Sequence, residues 1–169
     1  IGEDSLNAAL QEFRNAFAFR SGGVYAGSYD LYRVLQKHVP DSFRYYLKDT
    51  WEKVSFYDNK VVEVSAVPLG KNDEYKVSLV VDVKKLYIDS TGKEQAVAGM
   101  NDYIDIGVYG ADPKNSPGKS SPPLYLKKQW LGAGRHRIEL IVKGKPARAG
   151  IDPEGKLMDR IRDDNMKDL

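Results

Sequence analysis

Residues 75–83 read YKVSLVVDV, with Tyr75, Val77, Leu79, Val81 and Val83 on every second position. A period of two sends alternate side chains to opposite faces of a pleated strand, so the stretch predicts a half-buried β-strand. Ile104, Ile106 and Val108 repeat the pattern, as do Ile138, Leu140 and Val142. Shorter runs at 53–57, 60–67, 86–89 and 124–127 are further strand candidates. Asp58-Asn59 reads as a tight turn joining the first two of these, and Ser90-Thr91-Gly92 as another turn. Six or seven short strands with no helix between them predict an antiparallel, Ig-like β-sandwich over 53–148. Residues 110–123, rich in Pro, Gly, Ser and Lys, read as a long exposed loop.

Upstream of this region the period is 3.6. Leu6, Leu10, Phe13 and Phe17 fall at spacings of four, three and four, one face of a helix capped by Asp4 or Ser5 and stopped by Ser21-Gly22-Gly23. A second helix follows Gly27, with Ser28 as its expected cap and Leu31, Val34 and Leu35 on one side. Pro40-Asp41 breaks it and starts a third, whose stripe is Phe43, Tyr46, Leu47, Thr50 and Trp51. The fold class is therefore α+β: a helical segment over 1–52, the sandwich, and an extended C-terminal segment over 149–169 with a turn at Asp152-Pro153. Three short helices bury one another only in part, so each is expected to pack against something further. The abrupt entry into a helix after Ile1 suggests a cut or processed end.

Charge narrows the function classes. Twenty-six Lys and Arg against 24 Asp and Glu leave a net charge of +2, with the basic residues scattered among acids. Phosphate binding calls for a concentrated basic face, so nucleic acid is not an expected partner. With no cysteine, disulfides, thiol nucleophiles and Cys-zinc sites are excluded. No apolar run approaches the roughly 18 residues needed to span a bilayer, and the opening residues lack the basic-then-apolar pattern of a signal peptide.

Catalytic motifs fail on chemistry. Gly118-Lys119-Ser120 would end a phosphate-binding loop, but the position five residues before Gly118 is Pro113, which has no amide hydrogen to offer. The only histidines are His38 and His136. His38 suits a helix C-terminus, and His136 sits between Arg135 and Arg137, which repel a cation. No Gly-x-Ser-x-Gly turn marks a nucleophile. Asp159, Asp163, Asp164 and Asp168 do not have the spacing of an EF-hand, and Arg160, Arg162 and Lys167 lie among them. No catalytic, cofactor-binding or metal residue is expected in this chain. Tyr103, Tyr109, Tyr125 and Trp130 either fill the sandwich core or form a platform for carbohydrate. The second possibility makes an Ig-like carbohydrate- or protein-binding module the alternative reading, and a structural spacer with no ligand is a third.

Several segments, read in order, resemble one family. LNAALQEFRNAFAFR (6–20) and SYDLYRVLQKHVPDSFRYYLKDTWEKVSFYDNKV (28–61) look like late catalytic-domain helices of zinc aminopeptidases of the aminopeptidase N type. DYIDIGVYG (102–110), PLYLKKQWL (123–131) and above all KPARAGIDPEGKLMDRIRDDN (145–165) are similar to the C-terminal region of a bacterial subgroup fused to an ABC-type permease. The resemblance implies a non-catalytic module that braces an upstream peptidase domain of the same polypeptide. The parent would be membrane-tethered, act on peptides and carry zinc. The module itself would be extracytoplasmic. The family's HExxH pair, its further glutamate and its catalytic tyrosine fall upstream of the matched region. What carries over is the tail motif, with Gly150, Asp152, Pro153, Asp159, Arg160, Asp164 and Asn165 as structural or interdomain positions.

Overall fold

The computed structural model describes residues 2–20, 22–23, 25–70, 72–110 and 122–169. It is α+β: helices come first, and antiparallel sheets in a sandwich-like arrangement follow. The chain divides into two units, 1–54 and 55–169. Most of the loop expected at 110–123, residues 111–121, lies outside the described residues, as does Ser21 of the expected helix stop.

In the first unit, α1 (Glu3–Phe17) and α2 (Ser28–His38) pack together. The contact uses only part of the stripe that periodicity singles out. Ala9 is the buried residue of α1, with Phe13 half-buried beside it, while Leu6 and Leu10 stay 40% and 44% exposed. A small side chain lets two helix backbones approach. Glu12, one turn on from Ala9, then reaches Lys37 Nζ at 2.6 Å and His38 Nε2 at 2.8 Å. Ser28 is the first helical residue rather than the cap. Gly27 precedes the helix and donates its N–H to Asp30 Oδ2 at 2.9 Å. The third helix is broken into a 3₁₀ turn (Asp41–Phe43), α3 (Arg44–Leu47) and a π-turn (Lys48–Glu52). Of its predicted stripe only Leu47 is buried. Tyr46 and Trp51 are exposed, and Thr50 Oγ1 donates back to Tyr46 O at 2.7 Å.

From Val54 onward the described residues form ten strands. They are β1 (Val54–Tyr57), β2 (Lys60–Pro68), β3 (Glu74–Val83), β4 (Lys85–Ile88), β5 (Glu94–Ala96), β6 (Asn101–Gly110), β7 (Pro123–Gly132), β8 (Gly134–Lys143), β9 (Pro146–Ile151) and β10 (Met166–Asp168). Three sheets form, in the orders β2-β3-β8, β10-β9-β6-β7 and β1-β4-β5. One core cluster takes Val77, Leu79, Val81 and Val83 from β3 and Ile104, Ile106 and Val108 from β6, so both strands of strict alternation bury their predicted faces. Leu131, Ile138, Val142, Ala149 and Ile151 complete it from β7, β8 and β9. Between β7 and β8 the chain passes from one large sheet to the other through a bend at Ala133 and Gly134, whose φ of 104° suits glycine.

Two sequence expectations change. Asp58-Asn59 does not close a hairpin, because β1 pairs with β4 while β2 pairs with β3. It is a sheet change, with Asn59 fully buried and its Oδ1 accepting the Lys84 N–H at 3.2 Å. The segment from Ala149 onward is not simply extended. It completes β9, makes a 3₁₀ turn at Arg162–Asn165 and returns as β10 beside β9. The turn at 90–92 does join β4 to β5, with Asp89 Oδ1 accepting the N–H groups of Thr91 and Lys93.

Candidate functional site: the C-terminal strap

After β9 the chain crosses the outer face of the β10-β9-β6-β7 sheet. Asp152 donates its N–H to Asp105 O at 2.7 Å, on β6. Its φ of 43° is a left-handed conformation that aspartate tolerates better than most residues. The buried carboxylate then accepts Lys156 N and Leu157 N, both at 2.9 Å, closing a tight turn. Burial pushes the Asp152 carboxyl up, against the pull of those two amides. Pro153 sits over Gly107, where a Cβ would lie 2.7 Å from Pro153 Cγ.

This turn delivers Lys156 to Asp105. Lys156 Nζ stands 3.0 Å from Asp105 Oδ2 and 2.6 Å from Glu154 Oε2, and Lys128 Nζ stands 3.2 Å from the same Asp105 oxygen. Burial alone would raise the Asp105 carboxyl, but hydrogen bonds from Lys156 and Lys128 outweigh it and hold the group below the usual aspartate range. Glu154 and Asp105 together push the Lys156 ammonium up.

Further on, the tail lies against β1. Tyr57 donates its N–H to Met158 O at 2.8 Å, and Arg160 donates to Tyr57 O at 3.0 Å. Asp159, between them, accepts Asn59 N at 3.0 Å and Ile161 N at 3.1 Å, so both its oxygens are engaged. Arg160 pairs with Glu94 on β5. Asp164 is pushed up, first by burial and then by the nearby charges of Asp159 and Asp58. Asn165 is buried at the entry to β10, and Gly150 faces it so closely that a Cβ would lie 2.0 Å from Asn165 O.

The seven tail residues therefore form three groups. Asp152 and Pro153 work at the Asp105–Gly107 stretch of β6. Asp159 and Arg160 engage the end of β1, and Asp164, Asn165 and Gly150 lie at the β10 junction. Their hydrogen bonds and close contacts fasten the strap, and no nucleophile with an adjoining base arises among them.

Sequence reasoning missed the buried ion pair inside the sandwich. Lys85 Nζ donates to Asp102 Oδ2 at 2.7 Å, and Tyr57 Oη donates to the same oxygen at 2.7 Å. Both charged side chains are almost wholly buried. The three residues come from β4, β6 and β1 and are far apart in the chain, which left no local spacing to notice.

The aromatic residues divide. Tyr103 and Trp130 are opposite partners on β6 and β7, with ring centroids 4.4 Å apart and planes tilted by 54°. They are 39% and 44% exposed. Tyr125 instead packs against the core, and Tyr109 is half-buried.

His38 is engaged by Glu12, and His136 Nε2 lies 2.9 Å from Gly132 O. Among the described residues, no group of three or more His, Asp or Glu converges as metal ligands. No described helix is long and apolar enough to cross a membrane. In the helical unit a cavity of about 420 Å³ is lined by Tyr32, Gln36, Arg44, Leu47, Lys48 and Glu52, with Tyr32 donating its hydroxyl to Glu52. No protein-family model, curated protein or solved structure matches the chain.

Proposed function

We propose that the chain is a non-catalytic support module of a larger, membrane-tethered zinc aminopeptidase-like protein, placed on the extracytoplasmic side and bracing the peptidase domain that precedes it. The observation that carries this reading is the apolar edge of α1. Leu6 and Leu10 remain exposed while, among the described residues, the helical unit's core is confined to six buried hydrophobic residues. A helix that leaves the Leu6–Leu10 part of its apolar stripe exposed beside a small core is suited to pack against further helices. The tail supports the same reading, since Asp152, Asp159, Arg160 and Gly150 are committed to holding the sandwich together.

Zinc and the peptide substrate belong, in this proposal, to the parent's preceding domain. His38 and His136 are each engaged elsewhere, and among the described residues no set fits a zinc site.

The test uses the purified chain and the parent's preceding region, expressed separately. The chain alone should release no amine from a fluorogenic amino-acid amide, and it should associate with the preceding region. Leu6→Glu with Leu10→Glu should abolish that association and leave the circular dichroism unchanged. EDTA-sensitive hydrolysis by the chain, or association indifferent to the two substitutions, would overturn the proposal.

A further inference from the structure

We infer that two copies of this chain pair edge to edge through β8, antiparallel, with Arg137 of each opposite Glu139 of the other. This goes beyond the support role and does not rest on it. Sheet edges are ordinarily shortened, bulged or covered, because an open one recruits strands. Three sheets have six edges, and among the described residues five are treated so. The strap bonds the edge of β1, where Tyr57 donates its N–H to Met158 O and Arg160 donates to Tyr57 O. Strands β5 and β10 have three residues each. In β2 the register shifts between Val61 and Glu63, and Lys167 Nζ donates to Val62 O at 2.8 Å. Strand β7 opens on Pro123, and its register with β6 shifts there. Only β8 runs ten residues without proline or register shift and with a neighbouring strand on one side alone.

One bond fixes which of its backbone groups lie open. Gly144 donates its N–H to Asp73 O at 2.8 Å, just beyond the β3–β8 ladder and in step with it. Bonded and unbonded pairs alternate along an antiparallel ladder. Gly134, His136, Ile138, Leu140 and Val142 therefore bond to β3. Arg135, Arg137, Glu139, Ile141 and Lys143 turn their N–H and C=O groups outward, and their side chains are the exposed ones.

Charge selects a second copy as the occupant and sets its register. Arg135 and Lys143 each stand opposite an acid on β3, Asp82 and Glu74. Arg137 stands opposite Val80 and has no ion-pair partner among the described residues. A second, antiparallel β8 with Ile138 opposite Ile138 brings Glu139 to Arg137 twice, once on each side of a two-fold axis. In that register about eight backbone hydrogen bonds form, two for each exchange of Arg135 with Ile141 and of Arg137 with Glu139. Moving one strand by two residues sets Arg137 against Arg137 or Glu139 against Glu139, and moving it by one mismatches the faces. A single strand-to-strand seam buries less than the roughly 1,600 Å² of a standard interface, so the association is weak and depends on concentration.

The experiment is sedimentation equilibrium of the 169-residue chain, loaded from about 5 μM to about 1 mM to span a weak dissociation constant. A monomer–dimer equilibrium is expected. Glu139→Pro removes an outward N–H and leaves the bonds to β3 in place, so it should give a folded monomer. Arg137→Glu and Glu139→Arg should each raise the dissociation constant about tenfold or more. The two together should bind more tightly than either alone, because the pair is re-formed with its charges exchanged. Circular dichroism of each variant confirms that it is folded. A monomer at every concentration, a dimer that survives Glu139→Pro, or a double variant no tighter than the single ones would each overturn the inference. A dimer lost instead on Leu6→Glu with Leu10→Glu would also overturn it, by placing the contact on α1.

Discussion

The carboxylate of Asp159 accepts the backbone N–H of Asn59 at 3.0 Å, joining the last part of the chain to the head of β2 across 100 residues of sequence. Asp159→Ala leaves that amide unpaired beside a fully buried side chain. The expected loss is about 1–3 kcal/mol of unfolding free energy, measured in urea. Asp159→Asn keeps one acceptor and should lose less. Limited proteolysis should cut the alanine variant first between residues 155 and 165.

The Lys85–Asp102 pair should respond asymmetrically. Lys85→Met strands a buried carboxylate whose Oδ1 already lacks a hydrogen-bond partner among the described residues. The loss should be about 3–5 kcal/mol. Tyr57→Phe removes one donor to the same group and should cost about 1–2 kcal/mol. Replacing both charges together, as Lys85→Met with Asp102→Leu, should recover much of the single-variant loss. A double variant weaker than the sum of its parts would contradict this account.

Gly150→Ala should detach β10. The new Cβ meets backbone, Asn165 O at 2.0 Å and Met166 Cα at 2.9 Å, which cannot swing away as a side chain does. A loss of about 1–3 kcal/mol is expected. Faster hydrogen exchange at Met166 and Lys167 should accompany it. Gly27→Ala, by contrast, meets only Asp30 Oδ2 at an ordinary 3.8 Å and serves as the control.

Two carboxylates should pull the pH profile in opposite directions. Asp105 is held below its usual 3.8 in the folded state, so its stabilising contribution is present above that pH and is lost as pH falls through the lowered value. Asp164 is raised above 3.8, so its contribution is present below that value and is lost as pH rises through the raised one. Asp105→Asn should flatten the acid limb of Tm against pH. Asp164→Asn should raise Tm at pH 7 by about 1–3 °C, as expected of less than 1 kcal/mol in a chain of this size.

In the helical unit, Ala9→Leu should destabilise by about 1–3 kcal/mol, because it forces α1 and α2 apart. Leu6→Glu and Leu10→Glu should each stay within about 0.5 kcal/mol. The opposite ranking would mean that the stripe read from periodicity is the true contact face.

What the sequence disclosed depended on how local the cause was. The alternation in β3 and β6 reflects burial of one face, and both strands lie where YKVSLVVDV and DYIDIGVYG place them. Strand β5 has three exposed residues and therefore no alternation to read. In β9, PARAGI resembles a turn because Pro and Gly interrupt it. Gly150 is there because the chain at Asn165 passes over it, a reason 15 residues away. The α1 stripe misled in part for a related reason: the α1–α2 contact keeps Phe13 but centres on the small Ala9 and the pairing of Glu12 with Lys37 and His38, leaving Leu6 and Leu10 exposed. The tail motif was visible as a set of residues, but its partners Asn59, Glu94 and Asp105 are set by tertiary structure alone.

The strap also fixes an order of events during synthesis. At about 5–20 residues per second, the 100 residues between Asn59 and Asp159 take roughly 5–20 s to emerge. Throughout that interval the nascent sandwich has an unpaired amide at Asn59 and, once β9 has formed, an open edge where β10 will pair. Open strand edges recruit other strands. The nascent chain is therefore exposed to mispairing with its neighbours on a polysome until residues 159–168 arrive, and a holding chaperone would have the most to do in that window.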